Sequence, residues 1–539
     1  RQLGFNNDFL GFVPLGRSGD RGLLCVHHEY TDSSMMFPGL GNDSTKAGAA
    51  TTAEQVAVEM AALGGSIVEI ARRNGKWSVV RGSRYNRRIT ALDTEMSIDG
   101  PAAGHPRLRT GADPSGTRVI GTHSNCAGGI TPWGTWLMSE ENVQYYFGGR
   151  LPANLSKVEA DSCKRYGIPG SRNNWSKYVD RYDVGKEPNE ANRWGWIVEV
   201  DPLDPTSVPV KHTSLGRFRH EGAENALTKD GRIAVYSGDD DRGEFAYKFV
   251  SKGRYQPRNR AANKRLLAEG TLLVARFEAD GTGKWLPLVH GQGPLTADKG
   301  FASQADVLID ARLAATALGA TPMDRPEDFE PGPDGRVILA LTNNETRKAA
   351  DVDKANPRGP NPHGHIIEIV EDGQDPGAMT FKWSILVLCG DPGKPEHGAR
   401  WHEAQSAEGW FCAPDNVSFD PSGRLWVATD QGNNWLKLTG RADGLYALEH
   451  KGRLRGLSKL FFRCPVGAEM CGPRFTPDGS TLFLSVQHPA ADGVSDWARF
   501  GKRSSFDQPA TRWPDFKDGV PARPSVVVVT RKGGGRIGG

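Results

Sequence analysis

Six short apolar runs, each launched by a turn residue and each finishing in a cluster of polar donors, constrain this chain more than any other feature. They are GLLCVHHEY from Gly22, GTWLMSEEN from Gly134, GRIAVYSGDDD from Gly231, GRVILALTNNE from Gly335, GRLWVATDQGNN from Gly423 and GSTLFLSVQHP from Gly479. The last four follow TKD, GPD, DPS and TPD, which puts D-G or S-G turns at the tips of antiparallel hairpins. The glycines are spaced more widely than the about 40 to 50 residues of a four-stranded blade. The pattern predicts an all-β chain, a six-bladed β-propeller whose blades carry large inserted loops and short helices. Residues 1–539 are expected to form one domain, with the most elaborate insertions at about 40–110 and 150–190. Helix-compatible runs at 44–65 and 161–183 fall inside them.

The shared endings bear on function. In a propeller the innermost strands end near the central channel, so HHEY, SEEN, GDDD, TNNE, TDQ and QHP are expected to converge. One such ending is explained by the turn preferences of Asp and Asn. Six together gather so many carboxylates that cations must offset their repulsion and desolvation, which points to a metal site.

Composition removes other classes. The 67 basic and 64 acidic residues are interleaved, leaving a net charge of +3, so no basic face for nucleic acid is visible. Apolar runs such as Val526–Val529 fall far short of the about 20 residues that span a bilayer. A first residue Arg1 reads as the trimmed end of a processed exported protein or of a cut chain. The seven cysteines show no C-x-x-C spacing for structural zinc; Cys464 and Cys471 are near enough in sequence to bridge a short loop in an oxidising compartment. The run RPSVVVVTRKGG is expected to help close the ring with the N-terminal segment.

Further donors lie between the hairpins. NCAGGITPWG sets Cys126 before Gly128 and Gly129, which let backbone approach closely. LGRFRHEGAE brings Arg217, His220, Glu221 and Glu224 together, the two glutamates sharing a face if a helix begins there. MDRPEDFEP presents Arg325, Glu327, Asp328 and Glu330 on a turn stiffened by Pro326. Asp415 and Asn416 in FCAPDNVSFD, and Glu469 and Arg474 in GAEMCGPRFTPDG, stand just upstream of the last two hairpins. His27 and His28 sit in the first ending as ligands, as neighbours of ligands or as packed residues; the fourteen tryptophans read as blade walls. Oxygen donors favour calcium, whereas a thiolate among them favours a softer or redox-capable metal. A buried inert cysteine is the competing account of Cys126.

With these segments assembled, the chain resembles the PhoX family of bacterial alkaline phosphatases. The resemblance runs through HHEYTD, NCAGGITPWGTWLMSEEN, GWIVEVDP, LGRFRHEGAE, VYSGDDDRGEFAYKF, DRPED, PDNVSFDPSGRLWVATD and FTPDGSTLFLSVQHP, eight blocks in order. It implies a six-bladed propeller, export by the twin-arginine route to the periplasm or beyond, phosphate acquisition from phosphomonoesters, and a cofactor of Fe(3+) and Ca(2+) joined by a bridging oxo group. Cys126 resembles the family's iron-bound cysteine, and Glu141, Glu221 and Glu327 resemble carboxylates that hold the cluster. Glu29, Glu140, Asp240, Glu244, Asp415, Asn416 and Glu469 are further candidates for the calcium ions or their surroundings. Arg325 is the first candidate to grip the phosphoryl oxygens and Arg474 the second, with Glu327 beside them.

Phosphomonoester hydrolysis needs charge stabilisation, an activated oxygen nucleophile and help for the leaving group, which clustered cations supply. No G-x-S-x-G nucleophile elbow stands in a strand-to-helix setting. The expected partners are small phosphomonoesters and phosphate, with no nucleic acid and no membrane span, acting on a monomer. Two other readings compete: a calcium-dependent propeller lactonase, suggested by PDN in the fifth block, and a non-catalytic propeller pinned by metal.

Overall fold

Alternating apolar residues and D-G turns produce the expected hairpins, and these assemble into six strand groups. The computed structural model describes residues 3–16 and 19–539. The groups begin with the strands Asn7–Pro14, Asn125–Ile130, Glu224–Leu227, Pro326–Pro331, Pro414–Phe419 and Glu469–Phe475. Each pairs antiparallel with the next strand in sequence: Arg21–His28, Trp136–Glu140, Arg232–Gly238, Arg336–Leu341, Leu425–Thr429 and Thr481–Gln487 respectively. The first strands touch one another in cyclic order, the sixth against the first, as ring closure requires.

Two details differ from the simplest blade plan. The six groups make five sheets, because Thr282–Pro287 pairs with Thr380–Leu388 and fuses the third and fourth groups into a nine-stranded sheet. The second group is widened by Glu95–Asp99, which runs parallel to Val210–His212. Helices are short and lie in the insertions: Ser44–Ala50 and Ala53–Ala62 in the first, Lys157–Tyr166 and Trp175–Tyr178 in the second. Thr52 and Gln55 form a reciprocal cap on Ala53–Ala62, as do Ser156 and Glu159 on Lys157–Tyr166, satisfying donors that a helix start leaves open.

The polar endings do not lie on the innermost strands. They finish the second strand of each group, while the ring-lining first strand runs the opposite way. Starts of first strands and ends of second strands therefore meet at the same end of the ring. LGRFRHEGAE forms no helix: Glu224 opens a strand, and its carboxylate takes a hydrogen bond from Arg474 at 2.7 Å.

Between successive groups lie apolar layers, for example Tyr236, Phe329, Trp285 and Phe381 between the third and fourth. Ring closure uses the stacked pair Phe12 and Phe483, 5.8 Å apart, with Trp77 edge-on to Phe483. Cys464 and Cys471 are separate buried thiols, their Sγ atoms turned to the Glu469 carbonyl and the Glu469 carboxylate respectively. Ser525–Thr530 pairs with Thr481–Gln487 inside its own sheet and not with the N-terminal strand, so the ring closes by packing. Val527 and Val529 face the core between groups five and six, and Val526 faces that between six and one. Removing residues 524–539 should cost about 1 kcal/mol per half-buried valine and lower the melting temperature by several degrees. An unchanged melting curve would show that this strand is dispensable.

Candidate metal centre

The ring gathers its donors by a repeated local device. Five left-handed residues, Asn6 (φ 47°), Ser124 (56°), Arg325 (54°), Ala413 (52°) and Gly467 (68°), each stand two positions before a donor: Asp8, Cys126, Glu327, Asp415 and Glu469. Four are not glycine, and a left-handed L-residue costs about 1–2 kcal/mol. The first four donors then sit inside a register break of their strand, at Asn7/Leu10, Asn125/Gly128, Pro326/Phe329 and Pro414/Val417. A bulge leaves its extra residue unpaired and re-aims the side chain. Kink and bulge together turn one donor per strand toward the ring axis. Gly129 lets the neighbouring group close in, since a Cβ there would stand 2.2 Å from the Ala223 carbonyl oxygen.

Glu29, Glu141, Asp240, Asp430 and His488 arrive from just beyond the second strands. With Cys126, Glu221, Glu327, Asp415 and Glu469 they line a cavity of about 250 Å³ that also shows Tyr30, Tyr145, Arg172 and Arg325. The donors overlap in four sets whose ligand atoms lie within 4.8 Å of one another: Asp8, Glu469 and Cys471; Asp8, Glu29 and Cys126; Cys126, Glu141 and Glu221; Glu221, Glu327 and Asp415. Cys126 Sγ lies 3.0 Å from Glu221 Oε1 and 3.7 Å from Asp8 Oδ2. His27 supports the loop, its Nδ1 2.5 Å from the Cys126 carbonyl oxygen and its ring stacked on Trp136.

Without cations this packing is electrostatically adverse. Burial, followed by mutual repulsion, holds the carboxyls of Glu29, Glu141, Glu221 and Asp415 well above the ordinary range. Burial likewise raises Glu327 and Glu469, pushes Asp8 up to about 6, and raises the Cys126 thiol, with the surrounding carboxylates adding to the effect. Asp240 is the exception. Burial pushes it up, but two hydrogen bonds from Arg325, at 2.7 and 2.6 Å, hold it below its ordinary value.

Of the residues singled out from the sequence, Cys126, Glu29, Glu141, Glu221, Asp240, Arg325, Glu327, Asp415 and Glu469 share this cavity. Four lie elsewhere. Glu140 turns away into a buried pair with Lys211 at 2.6 Å and accepts from the Gly195 and Trp196 amides. Glu244 pairs with Arg165. Asn416 accepts the Gly472 amide at 2.8 Å. Arg474 lies over the Phe9 ring and donates to Glu224 and to the Leu10 carbonyl, outside the cavity.

Asp8 has no counterpart among those residues, although Asn-Asp before an apolar strand matches Asn-Cys, Pro-Glu and Pro-Asp at the other starts. Asp430 and His488 stand in the TDQ and QHP endings without having been singled out. Tyr30 closes the HHEY ending without having been singled out, and Arg172 and Tyr145 come from segments with no repeated pattern.

The donor chemistry fits metal ions: overlapping acid sets, one of them with a thiol, share members in one buried cavity. The sequence matches the family described as Alkaline phosphatase PhoX over residues 1–490. No curated protein sequence matches the chain. Among solved structures, Pseudomonas fluorescens PhoX in complex with vanadate, a transition state analogue, is 39% identical, with a TM-score of 0.89 over 100% of this chain and 90% of that one. A gluconolactonase from Xanthomonas campestris is 15% identical, with a TM-score of 0.22, over 55% of this chain and 80% of its own. The family match over residues 1–490 and an identity of 39% over the whole chain decide the matter: the chain belongs to the PhoX family of alkaline phosphatases.

Proposed function

We propose that the cavity hydrolyses phosphomonoesters to inorganic phosphate, using Fe(3+) and Ca(2+) joined by a bridging oxo group. The observation that carries this reading is the overlap of the four donor sets, which lets one side chain, Glu221, join a set containing a thiol to a set made only of oxygens. Cys126 with Glu141 and Glu221 suits iron, and Glu221 with Glu327 and Asp415 suits calcium. The vanadate bound by the Pseudomonas fluorescens relative supports phosphoryl transfer as the reaction. When bound, such ions offset the charge of the transferring group and acidify water near neutral pH.

The chain's own residues orient the substrate. Asp240 takes hydrogen bonds from Nε and Nη2 of Arg325, and Glu327 lies 2.9 Å from Nη2. This leaves Nη1 without a protein hydrogen bond among the described residues and available to a phosphoryl oxygen in the cavity that Arg325 lines. The left-handed backbone at Arg325 belongs with the strained positions that pre-organise sites. Phosphoryl transfer depends mainly on positioning and charge, and a doubly anchored guanidinium supplies both. No serine or threonine lines the cavity among the described residues, so attack by water is favoured over a covalent serine phosphate. The chain is taken to work as one monomeric domain in the periplasm or outside the cell; among the described residues no helix is long and apolar enough to cross a membrane.

Elemental analysis alongside hydrolysis of a chromogenic phosphomonoester tests the cofactor. Wild type should carry iron and calcium, and Cys126→Ala should lose iron and at least about 100-fold in activity. Calcium alone, with activity indifferent to the substitution, would make Cys126 a core thiol. Arg325→Ala should lower kcat/KM by about 10³, with Arg325→Lys recovering little because a bidentate fork is lost. Recovery of a phosphoserine from stopped reactions would overturn the water mechanism.

Metal loading should also release protons. Burial and mutual repulsion hold the carboxyls of Glu29, Glu141, Glu221 and Asp415 and the Cys126 thiol above their ordinary values without cations, so arriving cations compete with protons at these groups. Apparent metal affinity should therefore rise with pH. Calorimetric titration in buffers of different ionisation enthalpy reads the release directly, and a buffer-independent heat would contradict it.

A further inference from the structure

The metal cavity adjoins a larger one, of about 480 Å³, and the two share Tyr30, Arg172, Asn433, His488 and Asp492 on their walls. With its phosphoryl group drawn to Arg325 in the inner cavity, a larger ester finds the outer cavity open to its leaving group along this shared wall.

Two guanidinium groups line the inner cavity, and they are in opposite states. Arg325 is tied to Asp240 and Glu327. Arg172 has no ion pair and no side-chain hydrogen bond among the described residues. It is clasped instead between two rings, its guanidinium carbon 5.5 Å from the centre of Tyr30 and 5.0 Å from that of Tyr145. Its amide donates to the Tyr145 carbonyl at 2.9 Å, which fixes the root of the side chain. Stacking on rings holds a guanidinium in place and leaves its N–H edges free for an anion. The outer cavity carries charge of both signs, Lys437 and Arg503 against Asp32, Asp492 and Asp496, so an anion placed there without Arg172 meets acids as readily as cations.

We propose that Arg172 determines specificity by receiving an anionic group, a carboxylate or a second phosphate, on the leaving-group side of the ester. This deepens the phosphatase reading and rests on it. The residue is distinct from the phosphoryl grip, because it lines both cavities whereas Arg325 lines only the inner one.

The test compares two esters that differ at one carbon, glycerol 3-phosphate and 3-phosphoglycerate, the second bearing a carboxylate where the first has a hydroxymethyl group. In metal-loaded Arg172→Ala, the ratio of kcat/KM for 3-phosphoglycerate to that for glycerol 3-phosphate should fall about tenfold, as loss of one charge-assisted contact predicts. The change should lie mostly in KM for the acid-bearing ester, and Arg172→Lys should keep most of the ratio. A purely structural role would lower both substrates together and leave the ratio unmoved; that outcome overturns the proposal while the phosphatase reading stands. A wild type inert on both esters would remove the phosphatase reading and this inference with it.

Discussion

The protein depends on one electrostatic constraint: seven glutamate and aspartate side chains and two thiols, Cys126 and Cys471, form overlapping sets in a buried space too small for their charges to be separated. At 4 Å, two unit charges repel by about 4 kcal/mol even with an effective dielectric constant of 20. The raised carboxyls of Glu29, Glu141, Glu221 and Asp415 are that desolvation and repulsion expressed as a stronger hold on the proton. Folding brings these groups together only because the ring closes around them, with apolar layers such as that of Trp426, Leu484 and Phe475 supplying the opposing stabilisation. Multivalent cations turn the same arrangement from a cost into a binding site.

The ring geometry explains how six separate segments can meet this demand. A strand start is a point where the chain can kink without breaking a ladder, and Asn6, Ser124, Arg325 and Ala413 use it in the same way. Each kink is unfavourable alone, and each is held by a strand pair whose outer residues are buried. Strain at the axis is thus sustained by packing at the periphery, the usual relation between a site and its scaffold.

Much of this was legible in the sequence because the information is local and repeated. The D-G and S-G turns and the alternation of LFLSVQ or RIAVYS specify hairpins within a dozen residues, and the acidic endings mark one end of each. What escaped was the direction of the ring-lining strand. Apolar alternation does not say which member of a hairpin is inner, so attention fell on endings such as HHEY while Asp8, at the start of the true inner strand, carried no mark beyond Asn-Asp. Adjacent acids posed a second difficulty. Glu140 and Glu141 look alike in SEEN, yet the strand's period of two sends one to Lys211 and the other to the cavity. Arg172 lies in an insertion whose path is fixed by long-range contacts that no periodicity reports.

The carboxylates around the axis fall into two classes. Glu140 has Lys211, Asp239 has Arg312, Asp324 has Arg347, Glu371 has Lys248 and Glu224 has Arg474, each pair buried or nearly so. Asp8, Glu29, Glu141, Glu221 and Asp415 have no basic partner within ion-pair reach among the described residues, although Arg219 and Arg325 lie near enough to act on Glu141. Removing one member of a buried ion pair is strongly destabilising, so a fold that pairs its acids so consistently just outside the cavity does not leave the inner set unpaired by default. A lysine or arginine there would neutralise one carboxylate permanently and fill the space with methylenes. Leaving those positions to ions would keep the room, the coordination sites and the positive charge that a phosphoryl group needs, and the guanidinium groups of Arg325 and Arg172, which line the cavity, stay available for the substrate contacts proposed for them.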